Sequence, residues 1–320
     1  MAETRKIAVI GAGTMGSGIA LSYAMAGNDV IMYSRTEETL GKAKKVIDKS
    51  LELFIAESVL TKEQAEGSLR HLFYTTSLNE AAEGAWYVVE TIAEKPDAKK
   101  ELYEKLDGIL DKEAIIASNT SYLNIFELMP AGRLPYSIIA HFIAPAHILK
   151  LVEIVKGPET LESVMEAAIK LHQDCGKVPV RMERYVPGFI INRMQSAMTR
   201  EVCWLIENGY CDGEAIDLAV KASLMPRGLL LGLVQRMDFN GLDIVANGLK
   251  NKAYVAAPAP GEDNAIFCHT EKGELGVKSG RGFYDYSGQA YEDVLHHRDE
   301  QLIRSVRLSD EFMKDPLQTK

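Results

Sequence analysis

The sequence predicts a doubly wound α/β domain, with a mostly parallel sheet, followed by a second, all-helical domain. Three observations carry that expectation. Short apolar runs alternate with amphipathic stretches up to about Arg181, a glycine-rich turn follows the first run directly, and helical periodicity takes over after Val186. At 320 residues the chain exceeds the usual size of a single core, which fits one large and one smaller domain. The expected division is residues 1–185 and residues 186–320.

Lys6–Ile10 reads as the opening strand. Val30–Tyr33, Tyr87–Glu90, Ile115–Ser118, Ser137–Phe142 and Leu151–Val155 read as the strands that follow it. Between them, Thr39–Glu57, Ala98–Leu110 and Glu159–Gln173 have the length and period of helical crossovers. The texture changes after Val178-Pro179-Val180, and Val186-Pro187-Gly188 punctuates the chain. Ile191, Met194, Met198, Val202 and Leu205 then share one helix face, Asp212 is a candidate N-cap, and helical signals continue to about Leu249. The last dozen residues read as a polar helix end or a loose tail.

Composition narrows the function classes. With 47% hydrophobic and 25% charged residues the chain is an ordinary globular one. Its 36 basic and 45 acidic residues give a net charge of −9, so there is no electrostatic reason for nucleic acid or an anionic membrane as partner. Cys175, Cys203, Cys211 and Cys268 lie far apart without CxxC spacing, which argues against a zinc knuckle or a redox dithiol and for reduced thiols in a cytoplasm. No metal site is expected. The first apolar run is too short for a signal-peptide core, and no run is long enough to span a bilayer.

The turn Gly11-Ala12-Gly13-Thr14-Met15-Gly16 sits between the first strand and a helical pattern through Ile19, Leu21 and Ala24. In a Rossmann dinucleotide site the first glycine makes the tight turn, the second admits a pyrophosphate, and the third lets helix and strand pack closely. Thr14 and Met15 then fall where helix N-terminal amides meet phosphate. The second strand normally ends in an acid that binds the adenosine ribose, but here it runs into Ser34-Arg35-Thr36. Two readings follow. Either Arg35, with Ser34 and Thr36, receives a 2′-phosphate and the cofactor is NADP, or Arg35 stacks on adenine while Glu37 or Glu38 holds the ribose of NAD. The first is favoured.

His141 and Glu153 supply the candidate chemistry. Moving a hydride to or from a carbinol carbon needs a group that takes or gives the hydroxyl proton, and imidazole suits that near neutral pH. A carboxylate fixes its tautomer and stabilises the imidazolium.

His141 with its Phe and Pro, Lys150-Leu151-Val152-Glu153, Ser118-Asn119-Thr120-Ser121, Val186-Pro187-Gly188-Phe189-Ile190-Ile191-Asn192-Arg193 and Lys278-Ser279-Gly280-Arg281-Gly282-Phe283-Tyr284 occur together and in order. This set resembles the L-3-hydroxyacyl-CoA dehydrogenase family, nearest its 3-hydroxybutyryl-CoA members, over nearly the whole chain. The resemblance implies a Rossmann domain, a helical domain carrying a homodimer interface, and an active site between the two. It implies His141 as general acid/base and Glu153 as its orienting partner. Ser121 would bond the reacting oxygen, and Asn192 would bind a substrate carbonyl or support the histidine. Glu94 and Lys99 match positions near the cofactor, and Ser50 matches a CoA-binding serine.

Four departures from the family pattern bear on the ligand. Ala144 replaces an asparagine near the nicotinamide. The ribose-binding acid is missing at Ser34. Glu57 stands where a CoA-binding lysine belongs, unless Lys44, Lys45 or Lys49 takes over. Met225-Pro226-Arg227-Gly228 replaces a Gly-Pro-Phe type of turn, making Arg227 either a clamp for a free carboxylate or a surface residue at a helix start. Arg193 reads as a salt-bridge residue and His147 as part of the rim. The leading expectation is an NAD(P)-dependent dehydrogenase of a short 3-hydroxyacyl-CoA. The alternatives are a relative acting on a small free hydroxy acid or aldehyde carboxylate, and a non-catalytic, crystallin-like dinucleotide-binding protein.

Overall fold

The computed structural model describes residues 5–251, 255–259, 261 and 264–314. Two compact units divide the chain after Asn192.

The first unit is built on β1 (Lys6–Ile10), β2 (Asp29–Tyr33), β3 (Leu72–Thr75), β4 (Tyr87–Glu90), β5 (Ile115–Ser118), β6 (Ser137–Phe142), β7 (Leu151–Lys156) and β8 (Val178–Met182). These form one sheet in the order β3-β2-β1-β4-β5-β6-β7-β8, the doubly wound arrangement. All pairs are parallel except β6 with β7. Helices α1 (Thr14–Met25), α2 (Glu37–Ala56), α3 (Lys62–Leu69), α4 (Leu78–Ala82), α5 (Pro96–Asp107) and α6 (Glu162–Asp174) make the crossovers. A central parallel strand is covered on both faces, so it reads as an unbroken apolar run. Ile7, Ala8, Val9 and Ile10 are accordingly all buried.

β3 and β8, which the apolar runs do not announce, lie at the two sheet edges. Phe73 in β3 is exposed, and β8 carries Pro179, which an edge strand tolerates because one side of its backbone needs no ladder bond. Helix starts follow local capping. Thr36 caps α2 through the Thr39 amide, so that helix begins ahead of the expected Thr39, and Thr61 with Gln64 forms a capping box on α3.

The first unit continues past the expected boundary at Val186. Phe189 is buried in its core, and the amides of Ile190 and Ile191 bond a carboxylate on β7, so the chain stays with the sheet as far as Asn192.

The second unit contains the rest of α7 (Ile191–Glu207), then α8 (Gly213–Ala219), α9 (Met225–Asn240), α10 (Leu242–Lys250), α11 (Ala265–Glu271) and α12 (Tyr291–Lys314). Asp212 caps α8 as its position suggested, through the Ala215 amide. Val220–Leu224 is a π-helical turn, and α9 bends at Gly232, where φ is 67°. Glu201 and Glu207 on α7 accept bonds from the amides of Ala257 and Ala265. Of the expected polar tail, α12 accounts for residues through Lys314, and residues 315–320 lie outside the described ones. Among the described residues no helix is long and apolar enough to cross a membrane.

Candidate active site

The strands end, at their carboxyl edges, in the residues that matter. β1 leads into the glycine turn. A Cβ on Gly16 would come within 1.9 Å of the Gly11 carbonyl oxygen, and one on Gly11, where φ is +118°, would meet Thr91 Oγ1 at 2.6 Å. The turn therefore excludes side chains at both positions. Gly13 is different, because a Cβ there meets nothing within 4 Å. Its open face lies at the start of α1, where Gly13 makes no side-chain cap bond and the first turn holds no acid. Thr14, Met15 and Gly16 thus present amides and the positive helix end to an anion, an arrangement that fits a dinucleotide diphosphate.

Beyond β2, Arg35 is exposed and makes no ion pair with any described residue. Thr36 does not share that freedom. Its oxygen accepts the Thr39 amide as the cap of α2 and lies 2.8 Å from the Thr39 hydroxyl, so it is engaged within the chain. Glu38 pairs with Lys42 at 2.7 Å.

His141 ends β6 and Glu153 lies on β7. Antiparallel pairing puts them directly opposite one another, which turns a separation of 12 residues into a contact. His141 Nδ1 meets Glu153 Oε2 at 2.7 Å, and both side chains are buried. Glu153 Oε1 accepts the amides of Ile190 at 2.8 Å and Ile191 at 3.1 Å, where the chain enters α7. With both oxygens engaged, the carboxylate holds Nδ1 as the protonated nitrogen and leaves Nε2 with its lone pair. Phe189 packs on the imidazole with ring centroids 4.9 Å apart, and Asn119 Oδ1 accepts the Phe142 amide at 2.8 Å, fixing the end of β6.

Ser121 follows β5 on the turn Asn119–Ser121. Asn192 Nδ2 approaches the Ser121 carbonyl at 3.5 Å, so the structure brings these two expected site residues together. Residues 6–185 match the NAD binding domain model of 3-hydroxyacyl-CoA dehydrogenase, and residues 188–286 match the model of its C-terminal domain.

The chain belongs to the 3-hydroxyacyl-CoA dehydrogenase family.

Like that family it is an NAD(P)-dependent oxidoreductase with a Rossmann domain followed by a helical one. It is 34% identical, over 292 residues, to a probable 3-hydroxybutyryl-CoA dehydrogenase of Bacillus subtilis, a match spanning 89% of this chain and 98% of the relative. Among solved structures it superposes on 5-formyl-3-hydroxy-2-methylpyridine 4-carboxylic acid 5-dehydrogenase, an NAD+ dependent dismutase, with a TM-score of 0.84 and 26% identity, covering 96% of this chain and 99% of that one. The (S)-3-hydroxybutyryl-CoA dehydrogenase of Ralstonia eutropha gives a TM-score of 0.71 at 29% identity, over 89% of this chain and all of that one.

Several residues carried over from the family are held in ways their positions did not suggest. Lys99 is buried, with Nζ 2.7 and 2.8 Å from the two oxygens of Glu90, which makes it an internal counter-ion in this chain. Glu90 also accepts Tyr103 Oη at 2.7 Å, Ser118 Oγ at 2.6 Å and the Ile92 amide at 2.7 Å. Burial, reinforced by the charge of Glu90, pushes the Tyr103 phenol well above its usual range and keeps it a donor. Glu94, the other residue matched to the cofactor, bonds Thr120 and the Ser121 amide. Ser50 is buried on α2, with its hydroxyl donated to the Val46 carbonyl at 2.8 Å. Arg227 is exposed in the second unit and bonds the Ser223 carbonyl and hydroxyl at 3.2 and 3.0 Å. His147 packs beside Phe54 and over Gly18.

Two supporting groups escaped sequence reasoning. Glu90 had a visible signal, an acid closing an otherwise apolar strand, paired in register with Ser118 on the next. Lys177 had none. Its ammonium donates to the carbonyls of Ala146 and Leu149 at 2.5 and 3.0 Å, pinning the loop between His141 and Glu153, and burial lowers its pKa to about 8.

Proposed function

We propose that the protein oxidises and reduces a small substrate bearing a free carboxylate, a hydroxy acid or an aldehyde carboxylate, in preference to a CoA thioester. The observation that carries this reading is the closer and more complete superposition on the pyridine carboxylate dehydrogenase, at a TM-score of 0.84 against 0.71 for the CoA enzyme. Two features of the chain point the same way. Glu57 stands where a base would meet CoA, and the Ser50 hydroxyl is donated to the Val46 carbonyl of its own helix. We assign Arg227 to the substrate carboxylate, since its guanidinium keeps donors beyond those given to Ser223.

The nicotinamide, when bound, supplies or accepts the hydride. In oxidation, His141 Nε2 takes the hydroxyl proton as the hydride leaves the same carbon, and in reduction it returns that proton. Glu153 stabilises the imidazolium so formed. Ser121 donates to the reacting oxygen, and Asn192 orients the same group. An aldehyde enters the same scheme as its hydrate. The gem-diol carbon loses a hydride, one hydroxyl loses a proton to His141, and a carboxylic acid results.

We further propose NADP(H) as the preferred cofactor, because Ser34 stands at the end of β2 where the ribose-binding acid would be and Arg35 is exposed beside it to pair with a 2′-phosphate. We also propose a homodimer formed through the helical unit.

The decisive assay follows NADPH or NADH oxidation with acetoacetate, 2-formylbenzoate or acetoacetyl-CoA. Turnover of a free carboxylate well above the thioester is expected, faster with NADPH. Efficient reduction of acetoacetyl-CoA with both acids ignored would overturn the substrate reading, and equal or better rates with NADH would overturn the cofactor reading.

A further inference from the structure

Just ahead of α7 the chain takes two left-handed residues in succession, Gly188 at φ 78° and Phe189 at φ 50°. Glycine adopts that backbone freely. A bulky side chain there is a true outlier, and such strain persists only where the surrounding contacts enforce it. Phe189 and Ser58 are the two non-glycine residues with positive φ among the described residues. Ser58 lies in the turn that closes α2, a common place for left-handed backbone. Phe189 is 1% exposed and lies against His141.

The strained turn gives two amides a common target. The Phe189 amide closes onto the Val186 carbonyl at 3.0 Å, and the next two, of Ile190 and Ile191, both donate to Glu153 Oε1. Successive N–H groups turned to one side in this way form a concavity that takes an anion. The side chain acts on the other member of the pair. Its ring lies on the His141 imidazole, with the planes at 48°, and is backed edge-on by Tyr185 at 6.2 Å between centroids. Tyr185 is tied in turn by its hydroxyl to the Tyr122 carbonyl at 2.5 Å. One residue thus reaches the histidine through its ring and the glutamate through the backbone that follows it.

We propose that Phe189 is a positioning residue for the His141–Glu153 pair. Its left-handed backbone keeps the Ile190 and Ile191 amides on the carboxylate, and its ring keeps the imidazole in place. The proposal rests on the reading of that pair as the proton-transfer machinery, and adds that the strain at Phe189 serves it.

The test compares Phe189→Leu with Phe189→Ile. The two substitutes are isomers of nearly equal volume, so both remove the ring and leave similar space behind. They differ in branching at Cβ, which a left-handed backbone tolerates worst. The assay is reduction of acetoacetate or acetoacetyl-CoA, beside NADPH affinity from its fluorescence and hydrogen exchange of the Ile190 and Ile191 amides. Phe189→Leu is expected to lower kcat about tenfold through looser placement of the imidazole, with both amides exchanging as in the parent. Phe189→Ile is expected to lower kcat about a hundredfold and to speed exchange at both amides, since the turn no longer aims them at Glu153. KM for the keto substrate and the NADPH Kd should stay within about twofold in both variants. A role in packing alone would give the two variants equal losses. Phe189→Gly takes the same φ freely, so both amides should stay protected in it although the whole side chain is gone, and this arm stands even if the isoleucine variant folds poorly. Equal kcat in the two isomers, unchanged exchange in Phe189→Ile, lost protection in Phe189→Gly, or an undiminished kcat in Phe189→Leu would each overturn the proposal. If His141→Ala keeps full activity, the reading of the pair itself falls, an outcome distinct from an inactive His141→Ala beside a fully active Phe189→Ile.

Discussion

The two units handle their apolar side chains in opposite ways. In the first, Ile7, Val9, Ile19 and Leu21 have no exposed surface, because helices lie on both faces of the sheet. In the second, Val234, Leu218 and Leu249 are 71%, 70% and 77% exposed, and Phe239 and Ile244 face solvent as well. Buried side chains there are few, Cys203 and Ile303 among them. The sheet unit completes its own core and can hold charged groups such as Glu90, Lys99 and Glu153 in fixed places inside it. The helical unit carries amphipathic stripes whose apolar sides need cover, and a second copy of the chain is the cover we propose.

The sharpest way to break this contrast is to move the chemistry. His141→Ala should lower activity about a thousandfold, within the range of general acid–base catalysis, while NADPH binding and thermal unfolding stay near those of the parent. Retained activity would remove the proton-transfer step from the sheet unit. Next in size is self-association. Val234→Asp combined with Leu249→Asp should shift sedimentation at micromolar concentration from dimer towards monomer. An unchanged dimer would place the interface on another surface, and a monomeric parent would leave the exposed stripes without their proposed cover.

A smaller effect concerns the core of the first unit. His172 is fully buried, donating Nδ1–H to the Ala168 carbonyl at 2.7 Å and accepting Tyr23 Oη on Nε2 at 3.0 Å. Burial lowers its pKa from 6.5 to about 4. Between those values the unfolded chain takes up a proton that the folded chain refuses. Stability is therefore complete above pH 6.5 and declines as pH falls towards 4, by about 3 kcal/mol from this group. Denaturant titrations at pH 7 and pH 4.5 should show the loss, and His172→Gln should flatten it. An equal loss in that variant would assign the acid sensitivity elsewhere.

Legibility in the sequence followed burial. Central strands such as β4 and β5 were read at their true limits, because an environment apolar on both sides leaves a run with clean ends. β3 and β8 were missed because edge strands are half solvated and lose that signature. At the site, residue types were readable and their commitments were not. Thr36, Ser50 and Lys99 each looked available to a ligand, yet each is satisfied by a neighbour three, four or nine positions away. A local hydrogen bond leaves no periodic trace in the sequence. The His141–Glu153 contact was likewise invisible as geometry until β7 turned back antiparallel to β6.

That reversal has a bearing on how such a protein can diversify. The histidine and the glutamate face each other because of strand register, while the loop from residue 143 to residue 150 is held by separate anchors, the buried side chains of Ala146 and Ile148 and the bonds from Lys177 to the carbonyls of Ala146 and Leu149. Two sets of contacts thus set the acid–base pair and the loop that joins its strands. Exposed Ala144 belongs to neither set, so a different side chain there would alter the loop's surface while the pair stays in register.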